Sequence, residues 1–301
     1  MTTTRRDVLV GGLSVSLIAL AATPGWTQAA VEGVSRRKVG EAELIAFLDG
    51  RIMLPTNLFS GASAEEIAKL VEGEAVNGYI NAYVVRSGED VALIDAGGGG
   101  LVGPTAGKLP QRLEAAGVAP DQITTFYATH LHPDHIGGLV GDNALQLPNA
   151  QMVVHEQERA FWTNDEIMAG AGEGNAGFFQ AARGALEAFG DRVTAFTGEE
   201  VPGPLTAMEL FGHTPGHTGY VVSDGDESLL VWGDIIHAPQ VQFPMPSVTI
   251  SFDTDAAAAE ATRRRVLDMV TSDNMPVAGM HLAFPGTGQV VKRGDGYALE
   301  G

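Results

Sequence analysis

Residues 130–135 read His-Leu-His-Pro-Asp-His and place three imidazoles and one carboxylate within six positions. Burying that many polar side chains without partners is costly, and a bound cation would supply the partners. A solvated polar loop is the alternative. Because Pro133 disfavours a regular helix, we expect a tight loop that turns His130 and His132 one way and Asp134 and His135 another. Such a loop could serve two metal ions.

Further polar residues follow other predicted strands. Residues 212–217 read Gly-His-Thr-Pro-Gly-His, and the spacing allows either His213 or His217 to be a ligand. Asp95 either orients a ligating imidazole or simply ends a strand before the glycine run 97–100.

Composition limits the chemistry and the partners. The chain has 301 residues, a formal charge of −19 and no cysteine, so thiolate ligands and cysteine nucleophiles are excluded. Imidazole and carboxylate ligands suit zinc first, with manganese, cobalt or iron as alternatives. The acidic balance disfavours a nucleic-acid surface. The glycine run lacks the context of a phosphate-binding or dinucleotide-binding loop.

The first 30 residues resemble an export signal. Arg5 and Arg6 precede an apolar run from Val8 to Ala22, which is shorter than the roughly 20 residues of a membrane span, and small residues follow. The twin arginine resembles the export pathway for folded proteins. We therefore expect the bacterial periplasm and no membrane contact after cleavage, with an uncleaved anchor as the alternative.

No internal repeat, linker or charge run divides residues 31–301, so the length predicts a single α/β domain, with two halves inside it as the alternative. Helices are predicted at Ala64–Val71, where Ser63 and Glu66 form a capping box, at Lys108–Ala116 before Gly117, and at Asp255–Val270. Residues 163–177 are predicted to form a loop near the mouth of the site. Strands are predicted at Leu44–Leu48, Tyr79–Val85, Val91–Ile94, Ile123–Tyr127, Met152–Val154, Val193–Phe196, Ala207–Phe211, Tyr220–Ser223, Leu229–Trp232 and Val277–Met280. Residues Ser87 to Asp90 are predicted to form a turn that joins two of these strands as a hairpin. Hairpins mixed with helical crossovers favour two packed sheets covered by helices.

These motifs, in this order, resemble the metallo-β-lactamase superfamily over essentially all of residues 40–300. The matching segments are residues 93–97 (Leu-Ile-Asp-Ala-Gly), the His-rich segment, residues 212–217, Gly233-Asp234 and His281. The resemblance implies a four-layer αβ/βα sandwich with two mixed sheets flanked by helices. It also implies two divalent metal ions.

The resemblance further implies which residues would hold the cations. One cation would be bound by His130, His132 and His213. A second would be bound by Asp134, His135 and His281. Asp234 would bridge the two, and His217 would act beside the ligands rather than as one. Members that hydrolyse β-lactams usually lack this bridging aspartate, and many use a cysteine, so a β-lactamase is disfavoured.

Within the superfamily, the sequence is most similar to the methyl parathion hydrolase group and to related exported lactonases and aryl esterases. The similarity rests on residues 241–243, 246–249, 281–286 and 296–297.

Trp162 and Phe178 match two pocket aromatics of that group. Val102 stands at the third aromatic position, and this departure disfavours efficient phosphotriester hydrolysis. The alternative is that Trp162 and Phe178 are core residues, as we expect for Phe161 and Phe179.

The expected function is hydrolysis of a small lactone or aryl ester, with organophosphate triesters as a further substrate class. A hydroxide shared by two cations would attack the carbonyl carbon or phosphorus. Asp134 or Asp234 would take up the proton afterwards. Tyr220 either supplies an extra donor or belongs to the core.

Two rival functions remain, which are a thioester or β-lactam hydrolase of the same superfamily and a metal-binding protein without turnover. The sequence leaves a homodimer open.

Overall fold

Two mixed β-sheets organise residues 31–71 and 73–301, which the computed structural model describes. The predicted signal segment, residues 1–30, lies outside the described residues. The strands are β1 Val34–Val39, β2 Ala42–Pro55, β3 Phe59–Ser60, β4 Ala75–Ser87, β5 Asp90–Ile94, β6 Thr125–Tyr127, β7 Gln151–His155, β8 Val193–Phe196, β9 Thr206–Glu209, β10 Thr218–Asp224, β11 Glu227–Val231, β12 Thr249–Ile250, β13 Val277–Ala278, β14 Thr287–Arg293 and β15 Gly296–Glu300.

Helices cover the outer faces of both sheets. The α-helices are α1 Ala64–Val71, α2 Leu109–Ala115, α3 Pro133–Ile136, α4 Glu156–Thr163, α5 Asp165–Gly170, α6 Glu173–Phe189, α7 Pro239–Gln242 and α8 Ala256–Ser272. Short 3-10 helices lie at Thr56–Leu58, Pro120–Gln122, Gly137–Leu139 and Gly190–Arg192.

The first sheet has the strand order β1-β2-β4-β5-β6-β7-β8, and the second has the order β15-β14-β13-β11-β10-β9. Strands β5 to β8 pair in parallel, as do β11 and β13, and the remaining neighbours are antiparallel. A small third sheet joins β3 and β12.

Alternation along β2 shows how the layers pack. Ile45 and Phe47 belong to the apolar cluster under helices α2, α4 and α6, whereas Leu44 and Ala46 belong to the cluster between the sheets. Successive side chains of a strand point to opposite faces, so a strand that is apolar at every position is buried on both sides. A third cluster packs α8 against the second sheet. The predicted four-layer αβ/βα sandwich is confirmed.

Several local predictions are confirmed. The Ser63 hydroxyl accepts from the Glu66 amide at 3.2 Å, and the Glu66 carboxylate accepts from the Ser63 amide at 2.9 Å. Ser87 pairs with Asp90 at the end of the β4–β5 hairpin. Gly117 has φ +71° just after α2, the conformation expected for a glycine that ends a helix.

Two local predictions were wrong. Residues 163–177 contain the end of α4, all of α5 and the start of α6 instead of a single loop. The Asn164 side chain caps α5 by accepting from the amides of Glu166 and Ile167. Pro133 does not prevent helix formation, because it occupies the first turn of α3, where its missing amide hydrogen has no helical partner.

In the described residues, no helix combines the length and apolar character that crossing a membrane requires.

Candidate metal centre and substrate cavity

The polar residues predicted from sequence meet where strands of both sheets end. Asp95 follows β5, residues 130–135 follow β6, His213 follows β9, Asp234 follows β11 and His281 follows β13. Carboxyl ends of neighbouring parallel strands lie at one edge of a sheet, which is where α/β proteins place ligand sites.

Three imidazoles form the first group of this site. The His132 Nδ1 atom lies 3.0 Å from both His130 Nε2 and His213 Nε2. Burial and neighbouring imidazoles hold the pKa values of His130 and His132 well below their usual range. These three nitrogen atoms converge on one point, and a single cation could accept a lone pair from each of them. This group could therefore hold a metal ion.

Asp134, His135 and His281 form a second group that could hold a metal ion. The Asp134 Oδ2 atom lies 3.4 Å from His281 Nε2 and 3.7 Å from His135 Nε2. Burial lowers the pKa values of both histidines, but nearby carboxylates, Asp234 foremost, raise them by more. The side chain of Asp134 is the most exposed of the three, at 16%.

Asp234 lies between the two groups. Its Oδ2 atom is 3.4 Å from His213 Nε2 and 3.1 Å from His281 Nε2, and its Oδ1 atom is 3.3 Å from His135 Nε2. Burial raises the pKa of Asp234, yet the imidazoles around it, His135 foremost, lower it by more. The Oδ1 atom and the His135 Nε2 atom are buried without a hydrogen-bond partner. Such unpartnered atoms fit a pair of cations beside Asp234.

Hydrogen bonds outside the groups orient three of the imidazoles. The Nδ1 atom of His135 lies 2.7 Å from the Asp95 carboxylate, and that of His281 lies 2.7 Å from the Tyr79 carbonyl oxygen. The Nδ1 atom of His213 lies 2.8 Å from the Asp253 carboxylate. Each of these nitrogens donates, which leaves the Nε2 lone pair directed into the site.

Asp95 also accepts from the Thr129 amide and hydroxyl at 2.8 and 2.7 Å. Its backbone has φ 56°, a conformation uncommon outside glycine. The geometry favours an orienting role over a simple strand end.

His217 lies beside the ligand groups rather than in them. Its Nδ1 atom donates to the Leu210 carbonyl, and its Nε2 atom accepts from the Asp234 amide, both at 3.0 Å. A Cβ atom on Gly233 would lie 2.3 Å from that Nε2 atom, so the contact requires glycine. Burial lowers the pKa of His217 to about 3. Both ring nitrogens are thus in use, Nδ1 with the Leu210 carbonyl and Nε2 with the Asp234 amide.

Sequence reasoning missed three residues of this region. His237 Nε2 lies 3.0 Å from Asp234 Oδ2, and both ring nitrogens of His237 are buried without a hydrogen-bond partner. Burial lowers its pKa to about 4. The available signal was a histidine three residues after Asp234. Asp253 and Glu158 carried no comparable signal.

A cavity of about 300 Å³ opens onto both groups. Val102 and Phe178, two predicted pocket residues, line it together with apolar residues from β2 and from two loops. These are Ile52, Leu54, Leu101 and Phe252. A second cavity of about 400 Å³ adjoins it, and His132, Phe178 and Phe252 line both.

The other aromatic residues discussed from the sequence are mostly buried. The Trp162 ring is 3% exposed, packs edge-on against His132 and lines the second cavity. Phe179 is core, as predicted, whereas Phe161 is only partly buried. Tyr220 belongs to the core: its hydroxyl donates to the Ala128 carbonyl at 2.8 Å, so the extra donor suggested for it was wrong.

A family model described as the metallo-beta-lactamase superfamily matches residues 75–281, more than half of the sequence. The chain belongs to the metallo-β-lactamase superfamily. No curated protein matches it.

Several solved structures are similar to this protein over most of the chain. One is the hydrolase AbOPH of the β-lactamase superfamily, with 28% identity, a TM-score of 0.82, and coverage of 90% of this chain and 98% of that chain. Another is AidC, a dizinc quorum-quenching lactonase in complex with a product, with 28% identity, a TM-score of 0.82, and coverage of 89% and 97%.

A probable metal-dependent hydrolase from Staphylococcus aureus shares the fold at 17% identity and a TM-score of 0.73, with coverage of 87% and 98%. With the two His/Asp groups, the superfamily membership indicates a metal-dependent hydrolase.

Proposed function

We propose that this protein hydrolyses uncharged lactones or aryl esters with two divalent cations, zinc being the first choice and manganese, cobalt or iron the alternatives. The proposal rests on the position of the two groups of candidate ligands, the three imidazoles and the Asp134, His135 and His281 group. They lie on either side of Asp234 at the floor of an apolar cavity. Bound cations of this kind supply Lewis acidity and an ionised water at neutral pH.

The structurally similar AidC is described as a dizinc lactonase with N-hexnoyl-L-homoserine bound. This supports a lactone as the substrate of the present chain. The similarity to the methyl parathion hydrolase group, noted in the sequence, makes organophosphate triesters a further class to test.

We assign the first cation to His130, His132 and His213, and the second to Asp134, His135 and His281, with Asp234 serving both. We assign proton uptake to Asp134, because its carboxylate lines the cavity and is the more exposed of the two candidates. The lowered pKa of Asp234 makes that carboxylate a poorer base.

The cavity wall supports an apolar substrate. Leu54, Val102, Phe178 and Phe252 line it, and no lysine or arginine is among its lining residues. A flat leaving group or an acyl chain would gain free energy by displacing water from these side chains. An anionic substrate would find no matching charge in the wall.

The test is a substrate panel with the chain reconstituted in each of the four metals. The panel holds an N-acyl lactone, an aryl acetate, a dialkyl aryl phosphate, a thioester and a cephalosporin. We expect the lactone or aryl ester to have the highest kcat/KM and the cephalosporin the lowest. Activity should disappear with chelation and return with metal, and Asp234→Asn should remain inactive after reconstitution.

A cephalosporin or thioester preferred by about tenfold over every ester would overturn the substrate class. Two tightly bound cations without turnover of any compound would favour the metal-binding protein instead.

We also propose that residues 1–30 direct export to the periplasm through the twin-arginine pathway. Cell fractionation of the full chain, compared with an Arg5→Lys, Arg6→Lys variant, tests this. We expect the wild-type chain in the periplasmic fraction and the double variant in the cytoplasmic fraction.

A further inference from the structure

We propose that Glu158 is a positioning residue that holds two ligand-bearing loops in register for the first cation. We call residues 129–132 the His130 loop and residues 212–217 the His213 loop. The inference rests on the proposed function, because it concerns the cation that His130, His132 and His213 would share.

The Glu158 carboxylate joins the two loops directly. Its Oε1 atom accepts from the Leu131 amide at 2.9 Å, and Leu131 stands between His130 and His132. Its Oε2 atom accepts from the Thr214 hydroxyl at 2.6 Å and from the Gly216 amide at 3.0 Å. One side chain thus contacts the backbone or side chain of both loops.

Glu158 also reaches the wall of the site. Its Oε1 atom accepts from the Trp162 indole N–H at 2.6 Å, and the Trp162 ring packs edge-on against the ring of His132, with centroids 5.5 Å apart. Glu158 is 0% exposed, so its charge is compensated by these four donors rather than by water. Three of the four are N–H groups that can only donate, which requires acceptors on both carboxylate oxygens.

Gly216 gives independent support for this close packing. A Cβ atom at this position would lie 2.3 Å from the Glu158 amide nitrogen and 2.5 Å from the Glu158 Cβ atom. The His213 loop therefore lies directly against the first turn of α4, which contains Glu158. A carboxylate at this position can reach both loops without a bridging water.

The second group is positioned by other residues. His135 is held by Asp95 and His281 by the Tyr79 carbonyl, and neither contact involves Glu158. Loss of the Glu158 carboxylate should therefore weaken the first cation site and spare the second. A residue with a purely structural role would not distinguish the two sites.

The test is Zn²⁺ titration of the metal-free full chain against a chromophoric chelator, with the Co²⁺ absorption spectrum as a second readout. In Glu158→Gln, one carboxylate oxygen is replaced by an N–H₂ group, which cannot accept a hydrogen bond. That group must face either the Leu131 amide or the Gly216 amide, so one of the two loops loses its hydrogen bond. We expect one of two sites to lose about 10- to 100-fold in affinity. The profile should resemble that of His132→Ala and differ from that of His281→Ala.

Glu156→Gln is the matched control, because Glu156 lies on the same helix and pairs with Arg159 at the surface. It should bind both cations as the wild type does. Thr214→Val, which removes one hydroxyl donor and keeps the volume, covers the case in which Glu158→Gln fails to fold. It should weaken the same site by about three- to tenfold.

Wild-type affinity at both sites in either Glu158→Gln or Thr214→Val would overturn the inference. Equal weakening of both sites would overturn it as well, since that result indicates a general loss of stability. A wild-type chain that binds fewer than two cations would instead contradict the proposed function itself.

Discussion

At the scale of single residues, the site depends on which nitrogen of each imidazole is hydrogen-bonded to the surrounding protein and which is left to bind a cation. His135, His213 and His281 each direct Nδ1 at an oxygen outside the ligand groups. The motifs around His135 and His213 are visible in the sequence, whereas the choice of His213 over His217 and the prediction of His281 rested on the resemblance to the superfamily. The sequence could not predict Asp253, which contacts His213 from 40 residues away and is brought there by the fold alone.

His237 should contribute to turnover without being needed for both cations. Its ring nitrogens have no hydrogen-bond partner and it lines the cavity, so a substrate oxygen can take the place of that partner. We expect His237→Ala to lower kcat by about 10- to 100-fold, the effect of losing one hydrogen bond in the transition state. Metal content should be measured alongside steady-state kinetics. Loss of one cation from this variant would show that His237 is a ligand.

His217 should make the stability of the metal-free chain depend on pH. Its pKa is about 3 in the folded state and near 6.5 when unfolded. Below about pH 6.5 only the unfolded state binds the proton, so this contribution to stability is complete above that pH and is lost as the pH falls toward 3. We expect the advantage of wild type over His217→Gln to shrink by about 1.4 kcal/mol per pH unit.

Urea unfolding in the presence of a chelator measures that difference between pH 8 and pH 5. Between pH 7.5 and 8 the difference should be constant, which serves as the internal control. A difference that also stays constant down to pH 5 would show that His217 does not titrate in this way.

At the scale of elements, the apolar runs in the sequence predicted the strands that are buried on both faces. Strands such as β4 and β5 are apolar runs bounded by the Ser87–Asp90 turn, and both form as expected. Residues 163–177 were misread because glycine and alanine give them few apolar anchors. Side-chain capping by Asn164 and packing of Phe179 against the first sheet's cluster stabilise helices there nonetheless.

If the proposed lactonase activity holds, Phe178, on α6, should influence the length of the acyl chain that is accepted. Its ring lines both cavities and lies 6.4 Å from the ring of Phe252. We expect Phe178→Ala to raise KM for a long-chain N-acyl lactone about five- to tenfold more than for a short-chain one, because the longer chain loses more apolar contact. Met53→Ala, which alters an exposed apolar side chain outside the cavity lining, is the control. Equal changes in KM for both chain lengths would contradict the prediction.

At the scale of the whole molecule, the candidate ligands come from both halves of the sandwich. The first group joins His130 and His132, which follow β6 of the first sheet, to His213, which follows β9 of the second. The second group joins His135 to His281 in the same way. Bound cations would therefore cross-link the two sheets.

Metal removal should lower the thermal stability of the chain measurably. A cation present at 100 times its Kd stabilises the folded state by about 2.7 kcal/mol, so chelation should lower Tm by at least about 5 °C. Differential scanning fluorimetry with and without a chelator measures this shift. Asp234→Asn, which lacks the carboxylate between the two groups, should show a smaller shift. Identical Tm values with and without metal in the wild type would count against tight binding.

The cavity wall and the cation-binding cluster come from largely separate stretches of the chain. Leu54 lies on β2, Val102 in the glycine-rich segment, Phe178 on α6 and Phe252 after β12. The Phe178 ring packs against a cluster imidazole, His132. Substitutions at Leu54 and Val102, which stand apart in sequence from every candidate ligand, can therefore accumulate one at a time with little effect on the chemistry below them. Such an arrangement lets selection retune the preferred leaving group while hydrolysis itself is inherited intact.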